Sequence, residues 1–339
     1  MQDTRFESLK LWLKSLPNEL GIDLDSISPA SSDASFRRYF RVIGKNSPYS
    51  SFIAMDAPVD KEDSRPFIHV AKLLLQAQIN VPIIFELDLQ QGFLLLSDLG
   101  TTTLFSKVNE ENTPSFYKDA TNTLIQIQKN TKTNNLPQYD AELLRRELYL
   151  FPEWYLSKHL QYDLNEQEKI ELESIFDQLI EQILLQPTVF VHRDYHSRNL
   201  MITEKNSPGV LDFQDAVIGP ITYDLVSIFR DAYVSLDEEA QIDYVVRYWE
   251  TAKKENLPVS HDFGEFYRAF EWMGLQRHLK VLGIFARLFH RDGKDGYLKD
   301  LPLVLQYTEK AAQRYSIFRP LVRILDASQK RARPTGLTF

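Results

Sequence analysis

The sequence has 339 residues, 43% of them hydrophobic and 25% charged, a composition that excludes a disordered or collagen-like chain and a length that suits two lobes. The formal net charge of −8 excludes a chain-wide basic surface for nucleic acid, and the absence of cysteine excludes disulfides, thiolate nucleophiles and cysteine-ligated metals. No apolar run approaches the roughly 18 residues of a membrane span, and the N-terminus carries acidic residues without a signal-peptide cleavage site. We therefore expect a cytoplasmic protein without nucleic-acid or membrane partners, and we expect a monomer.

The N-terminal part of the chain predicts a small lobe built on an antiparallel sheet. Apolar residues recur at helical spacing up to Pro17, which ends the pattern, and Pro66 suits the first turn of a second helix. The β-rich stretches alternate in the manner of paired strands, and Gln91-Gly92 marks a turn. The predicted elements are a helix over 5–16, strands over 35–44 and 49–58, a helix over 66–78 and two strands within 81–100. We assign residues 1–97 to this lobe.

The rest of the chain predicts a larger, mainly helical lobe over residues 98–328. Helical periodicity dominates after Thr113, and one β-rich island interrupts it at 189–219. The basic tail, 329–339, lacks periodicity, and we expect it to be mobile. The long helices are predicted at 114–129, 140–159, 166–185, 237–254 and 262–289. The fold class is therefore α+β, with a small antiparallel β lobe and a larger helical lobe.

The β-rich island carries the residues that suggest chemistry. Asp194 and Asn199 are five residues apart on a polar segment between apolar strands, and Asp212 follows an apolar pair at a strand end. Carboxylate and carboxamide oxygens suit Mg²⁺, which also keeps water and phosphate oxygens as ligands. Asp194 would remain able to accept a proton from a hydroxyl. Two other interpretations stay open: a polar hairpin whose aspartates cap turns, and a zinc site formed by His192, Asp194 and His196.

This pattern resembles the protein-kinase signature H-R-D-x-x-x-x-N followed by D-F-G, except that Gln214 replaces the glycine. It is more similar to the aminoglycoside phosphotransferase and choline kinase branch, which has a compact H-x-D-x-H-x-x-N followed by D-[FW] and G-x-x-x-x-D-L. The residues that match are His192, Asp194, His196, Asn199, Asp212, Gly219, Asp224 and Leu225. The resemblance implies a protein-kinase-like fold with Asp194 as catalytic base and with Asn199 and Asp212 as Mg²⁺ ligands.

Longer stretches resemble a narrower group, the anomeric amino-sugar kinases of bacterial cell-wall recycling. They are DASFRRYFRV at 33–42, IAMDAP at 53–58, GFLLLSDLG at 92–100, HRDYHSRNLM at 192–201, LDFQDAVIGPITYDLVSI at 211–228 and LQRHLKVLGIFARL at 275–288. The resemblance implies transfer of phosphate from ATP to the anomeric hydroxyl of N-acetylmuramate or N-acetylglucosamine, giving the sugar 1-phosphate.

The expected nucleotide contacts are less regular. The small residues of 31–35 could cradle phosphates, and we select Ser32, Ala34 and Ser35 for this role. The strand lysine of kinases is missing, because Met55 or Asp56 stands in its place. We expect an arginine of the preceding strand, Arg38 or Arg41, to supply the charge of that lysine. An equally weighted alternative is that these arginines are only exposed charges on the strand, with no role in phosphate binding. By resemblance, the backbone of Leu95 to Ser97 faces the adenine.

The acceptor pocket is expected in the helical lobe. The substrate-binding candidates are His196, Arg198, Glu147, Glu153 and Trp154, with Asp215 and Asp231 as further candidates. An aromatic ring and carboxylates suit a sugar, although aromatic clusters at helical spacing are more often core. His192 and Asp224 are expected to support the catalytic loop, Asp224 also by capping a helix.

Two alternative functions remain open. An aminoglycoside or another hydroxyl compound could be the acceptor. The missing lysine also allows a nucleotide-binding pseudokinase that acts as a scaffold. A protein kinase is disfavoured, because no A-P-E motif follows the short segment after Ala216.

Overall fold

The computed structural model describes residues 3–32, 36–109 and 111–332, except for the side chains of 31, 32, 331 and 332. It has the protein-kinase-like fold, with a five-stranded antiparallel sheet in one unit and mostly helices in the other. The first unit comprises the chain up to Lys107 together with Asn199–Asp215, and the second comprises Val108–Arg198 and the chain from Ala216 onward. The predicted boundary lies at 97/98, so the first unit is longer than expected and includes a second segment.

The sheet of the first unit has the strand order β1-β2-β3-β5-β4, with antiparallel neighbours throughout. Its elements are α1 (Thr4–Ser15), β1 (Ile22–Ser32), β2 (Arg38–Gly44), β3 (Ser51–Asp56), α2 (Arg65–Gln76), β4 (Ile84–Asp88), β5 (Phe93–Ser97) and α3 (Leu104–Lys107). Helix α1 begins where Asp3 accepts a hydrogen bond from the N–H of Phe6, and its buried face packs on the sheet.

Strand β1 was not predicted from the sequence. It is an edge strand that pairs only with β2, and its register shifts between Asp23 and Ser28 and again between Pro29 and Ser31. An edge strand tolerates proline, because the missing N–H faces no partner strand. The irregular register removes the alternation by which a strand is recognised in a sequence.

The segment Asn199–Asp215 joins the first unit through main-chain hydrogen bonds. It forms a hairpin of β7 (Leu200–Met201) and β8 (Gly209–Val210). The N–H of Val210 donates to the carbonyl of Asn80 at 2.8 Å, and the N–H of Ile202 donates to the carbonyl of Thr102 at 2.8 Å. These contacts explain why this part of the β-rich island groups with the sheet.

The second unit is built from helices around α9, which runs from Phe263 to Asp292. The other elements are α4 (Thr113–Asn130), α5 (Ala141–Leu148), a π-helix (Phe151–His159), α6 (Glu166–Leu184), β6 (Thr188–Val191), β9 (Val217–Pro220), α7 (Tyr223–Phe229), α8 (Glu238–Lys254), α10 (Leu301–Arg314) and α11 (Arg319–Ala332), with short 3₁₀ turns at Asp295–Asp300 and Ser316–Phe318. None of the helices in the described part of the chain is long and apolar enough to cross a membrane.

Two parts of this unit differ from the sequence-based expectation. The single helix predicted over 140–159 is divided into α5 and the π-helix, because Pro152 lacks the N–H that a continuous helix needs. Helix α11 extends to Ala332, so the first residues of the predicted mobile tail are helical. Residues 333–339 of that tail lie outside the described residues.

A close approach of two segments requires glycine at position 283. A Cβ on Gly283 of α9 would lie 2.3 Å from the main-chain carbonyl carbon of Leu150, which precedes the π-helix. No side chain fits at that distance, so Gly283 allows α9 to pack directly on the Leu150 backbone.

Candidate active site

The predicted catalytic loop, residues 192–198, follows β6 in the second unit and is fixed from one side by Asp224. This aspartate is buried in the first turn of α7, and its carboxylate accepts hydrogen bonds from the N–H groups of His192 at 2.7 Å and Arg193 at 3.0 Å. The predicted bracing role is thus present in the geometry. The predicted helix cap is not, since the N-cap of α7 is Thr222 and the Asp224 carboxylate is directed to the loop. Burial raises the pKa of Asp224 to about 7.

A second buried aspartate fixes the other side of the loop. Asp231 lies just beyond the C-terminal end of α7 and accepts hydrogen bonds from the N–H groups of Ser197 and Tyr233, both at 2.9 Å. Asp231 was a candidate sugar ligand, but both of its oxygens bond to the main chain within a buried environment. The structure therefore gives it a supporting role. Asp215, the other such candidate, is exposed in the first unit.

Asp194 lies between these two braces, and its side chain is 40% exposed. Its N–H donates to Nδ1 of buried His192 at 3.2 Å, consistent with the supporting role predicted for this histidine. Loss of solvent around the carboxylate acts to raise the pKa of Asp194, but the positive charges of Arg277, Lys280 and Arg193 outweigh that effect and lower the pKa to about 2. The carboxylate is therefore ionised at neutral pH and can accept a hydrogen bond from a hydroxyl.

Glu147, a predicted sugar ligand, is instead part of a buried ionic cluster. Its side chain is 6% exposed and accepts hydrogen bonds from Arg193 and Tyr139, and Nζ of Lys280 lies 2.9 Å from its carboxylate. Burial acts to raise its pKa, yet Lys280 and Arg193 lower it overall. The carboxylate is a counter-charge to two buried cations, so the predicted contact with a sugar is not supported.

The other predicted acceptor residues occupy different surroundings. Glu153 is exposed and Trp154 is half-buried on the π-helix, and their roles stay predictions. Arg198 lies over the ring of Tyr233 with its guanidinium carbon 3.6 Å from the ring centre, and Nη2 lies 3.6 Å from the carboxylate of Asp300. His196 packs edge-on against the same tyrosine at 5.2 Å. Burial lowers the pKa of His196, which favours the neutral imidazole at pH 7.

Tyr233 and Asp300 were missed in the sequence analysis. Tyr233 is close enough to Asp194 for the charge of that carboxylate to act on its hydroxyl, and burial raises the pKa of the Asp300 carboxyl. Asp300 follows Arg198 by about a hundred residues, so no local spacing could have indicated that the two side chains meet. The structure brings His196, Arg198, Tyr233 and Asp300 together as one polar and aromatic wall beside the catalytic loop.

The chain passes from the second unit to the first between Arg198 and Asn199, and the predicted metal ligands lie in the first unit. Nδ2 of Asn199 donates to the carboxylate of Asp212 at 3.2 Å, and Nε2 of Gln214 donates to the other carboxylate oxygen at 2.8 Å. Asp212 has a φ of 62°, a left-handed conformation that is uncommon for aspartate and is often found at functional sites. Phe213 anchors the segment by stacking on Phe67 at 4.9 Å.

These residues fit a magnesium ion. Asn199 and Asp212 offer a carboxamide oxygen and a carboxylate, and Mg²⁺ is commonly held by one or two protein carboxylates together with phosphate oxygens and water. Within the described residues, no group of three histidine or acidic side chains is arranged to hold a metal ion. The zinc interpretation of His192, Asp194 and His196 therefore finds no support.

The two strand arginines selected for phosphate binding already have carboxylate partners. Arg38 donates to buried Asp56 through Nε at 2.9 Å and also contacts Asp3. Arg41 donates to Asp98 through Nη2 at 3.0 Å and to the carbonyl of Gly100 at 2.9 Å. These partners reduce the charge that either arginine can offer a phosphate, and the nucleotide role of both stays a prediction.

The remaining nucleotide candidates give a mixed result. Ala34 and Ser35 lie outside the described residues, and Ser32 is described only as the last backbone position of β1. Leu95 lies in β5 opposite Ala54 of β3 and Glu86 of β4, so its main chain belongs to a central strand. Both N–H and C=O groups of a central strand are engaged in the sheet, which argues against adenine contacts from Leu95. Ser97 is likewise engaged, since its N–H and hydroxyl bond to Ile83.

Comparison with known proteins gives one family. Residues 26–262 match the model of the phosphotransferase enzyme family. The chain is 44% identical over 336 residues to a protein of Neisseria meningitidis named N-acetylmuramate/N-acetylglucosamine kinase, with 98% of each chain covered.

Two solved structures share the fold. The ADP-bound aminoglycoside phosphotransferase APH(2'')-Ib is 14% identical, with a TM-score of 0.59 and coverage of 92% of this chain and 99% of that one. The choline kinase LicA from Streptococcus pneumoniae is 12% identical, with a TM-score of 0.64 and coverage of 91% and 100%. At these identities the likeness is one of fold alone.

Proposed function

Because the chain belongs to the phosphotransferase enzyme family, we propose that it is an ATP-dependent kinase that phosphorylates the anomeric hydroxyl of N-acetylmuramate, N-acetylglucosamine or both. The observation that carries the proposal is the 44% identity, over 98% of both chains, to a relative named for these two sugars. The anomeric position, the sugar 1-phosphate product and the role in cell-wall recycling rest on the sequence resemblance described above. The cytoplasmic location is part of the same proposal.

Asp194 is proposed as the residue that receives the acceptor hydroxyl. Its carboxylate is ionised and accessible, and two buried aspartates fix the loop that carries it. A carboxylate with a pKa of about 2 is a weak base at neutral pH, so its main contribution is to orient the hydroxyl and to take the proton late in the transfer. This suits phosphoryl transfer, in which positioning and charge neutralisation supply most of the rate.

Asn199 and Asp212 are proposed to hold Mg²⁺ when the nucleotide is bound. The ion would supply positive charge that neutralises the phosphate oxygens. Gln214 fixes the Asp212 carboxylate through a hydrogen bond of 2.8 Å, a contact that the glycine of the protein-kinase motif could not make. The pair therefore has a defined orientation from this chain's own residues.

The experiment is an ADP-release assay with MgATP and a panel of acceptors. N-acetylmuramate and N-acetylglucosamine are expected to support turnover, and Asp194→Asn is expected to abolish most of it. Asp243→Asn, which changes an exposed aspartate of α8 with no assigned role, is the matched control and should retain activity.

The same panel separates the alternatives. Turnover with kanamycin and with neither sugar would replace the proposal with aminoglycoside phosphorylation. MgATP binding without turnover on any acceptor, unchanged by Asp194→Asn, would indicate a pseudokinase.

A further inference from the structure

Helix α9 carries two buried cations, Arg277 and Lys280, one turn apart. Their side chains are only 8% and 7% exposed. Buried lysine and arginine side chains are rare and require partners, since an unpaired charge in the interior is costly. Neither residue was assigned a role from the sequence.

Arg277 contacts the catalytic loop at two places, the main-chain carbonyl of Arg193 and the side-chain carboxylate of Asp194. Its Nη1 donates to the carbonyl of Arg193 at 2.8 Å and to the hydroxyl of Tyr223 at 2.9 Å. Its Nη2 lies 3.8 Å from Oδ1 of Asp194. A planar guanidinium held at one nitrogen has little freedom at the other, so the position of Nη2 beside Asp194 is set by the two bonds made by Nη1.

Lys280 completes the cluster from one turn farther along. Its Nζ donates to the same Tyr223 hydroxyl at 3.0 Å and lies 2.9 Å from the Glu147 carboxylate. Glu147 in turn accepts from Arg193 of the catalytic loop. Lys280 and Arg193 therefore both pair with the Glu147 carboxylate. Arg277 instead pairs with the Asp194 carboxylate.

The groups that face Asp194 come from three parts of the unit. The catalytic loop contributes Arg193 and His196, α9 contributes Arg277 and Lys280, and the region of α7 contributes Asp224 and Tyr233. Of these cations, Arg277 lowers the pKa of the Asp194 carboxyl the most. A polyanionic nucleotide raises the pKa of a nearby carboxyl, and a fixed cation opposes that rise.

We propose that Arg277 is a positioning residue for the phosphoryl transfer: its guanidinium, fixed by the Arg193 carbonyl and the Tyr223 hydroxyl, holds the Asp194 carboxylate in one orientation. The charge of the same group also keeps the carboxylate ionised when the nucleotide binds. This inference rests on the proposed kinase function for its catalytic consequence. The orientation of Asp194 by Arg277 is a property of the protein alone and can be measured without turnover.

The test compares Arg277→Gln and Arg277→Lys with Arg268→Gln, which removes an exposed arginine from the same helix. In Arg277→Gln we expect kcat to fall by about 10²-fold, as for a small misplacement of a reacting group, with the KM for MgATP little changed. Its kcat should also fall as the pH is lowered from about 8 to about 5, because a carboxyl with a raised pKa becomes protonated there. Arg268→Gln should match the wild type in both respects.

Arg277→Lys separates charge from geometry. Lysine keeps the positive charge but cannot bond to Arg193 and Tyr223 and reach Asp194 at once. We expect its pH profile to resemble that of the wild type and its kcat to stay low. This variant also serves if Arg277→Gln does not fold.

A measurement without turnover keeps the two proposals apart. The carboxyl ¹³C signal of Asp194, assigned by its loss in Asp194→Asn, should show no titration above about pH 4 in the wild type and a titration above that pH in Arg277→Gln. Identical titrations in the two proteins, or equal kcat values and pH profiles, would overturn the role of Arg277. If the wild type phosphorylates no sugar, the proposed function fails, while the titration still decides whether Arg277 controls Asp194.

Discussion

Replacement of Glu147 by glutamine tests whether this carboxylate is a buried counter-charge or a ligand of the sugar. In the structure it is within 2.9 Å of Lys280 and bonds to Arg193 and Tyr139. Glutamine has a similar shape but no charge, so both cations would stay buried without it. Removal of one partner from a buried ion pair costs about 3–5 kcal/mol, and we expect the free energy of unfolding to fall by that amount.

The assay is urea unfolding of the ligand-free protein at neutral pH. Glu153→Gln on the exposed side of the π-helix is the control and should change the free energy of unfolding by less than about 0.5 kcal/mol. The double variant Glu147→Gln, Lys280→Met should recover a large part of the loss, because it removes both members of the pair.

The pH dependence has a defined sign. The pKa of Glu147 is lowered in the folded state, so its contribution to stability is present above the unfolded pKa and is lost as the pH falls through the folded value. In Glu147→Gln this acid-side loss should be absent. Unchanged stability together with a large rise in the KM for sugar would refute the counter-charge assignment and restore Glu147 as a substrate ligand.

Three further predictions concern the catalytic loop and its support. Asp194→Asn should lower kcat by roughly 10²–10⁴-fold, measured by ADP release, and should leave the Kd for MgATP measured by calorimetry unchanged; a weakened Kd would argue against a role confined to the acceptor. Asp224 has a folded pKa of about 7, above its unfolded value, so it disfavours folding increasingly as the pH rises from about 4 to 7. Asp224→Asn should remove that slope from a series of urea titrations, and an unaltered slope would show that Asp224 is not its source. Gly283→Ala should destabilise the protein by about 1–3 kcal/mol in thermal unfolding because of the clash with Leu150, whereas Gly296→Ala, where no atom lies within 4 Å, should not; equal effects would contradict the close packing of α9.

The parts of the site that could be predicted are those whose residues are close in sequence. Asp194 and Asn199 belong to one short segment, and Asp212 follows after one hairpin, so their spacing within a known motif was enough to make them candidates, and their roles stay predictions. The bracing of the loop by Asp224 was predicted together with a helix cap, and the structure shows the bracing hydrogen bonds without the cap. The antiparallel sheet and the helical lobe followed from regular periodicity, and both are confirmed.

The parts that could not be predicted depend on long-range packing or on broken periodicity. Arg277 bonds to the catalytic loop and Lys280 pairs with Glu147 of α5 only through the tertiary packing of α9, and in the sequence both are charges within a helix. The carboxylate of Glu147 is a side-chain type that suits a sugar ligand, and only its burial between Arg193 and Lys280 identifies it as a counter-charge. Strand β1 was missed because its proline and register shifts remove the alternation of a strand.

The most direct test of the central claim is proton–phosphorus correlation NMR of the product formed from MgATP and N-acetylmuramate or N-acetylglucosamine. The proposed function predicts a new phosphorus signal coupled to the anomeric proton of the sugar, formed by the wild type and lost in Asp194→Asn. A phosphorus signal coupled to any other sugar proton would contradict phosphorylation at the anomeric hydroxyl. The absence of any phosphorylated sugar would contradict the assignment of these sugars as acceptors.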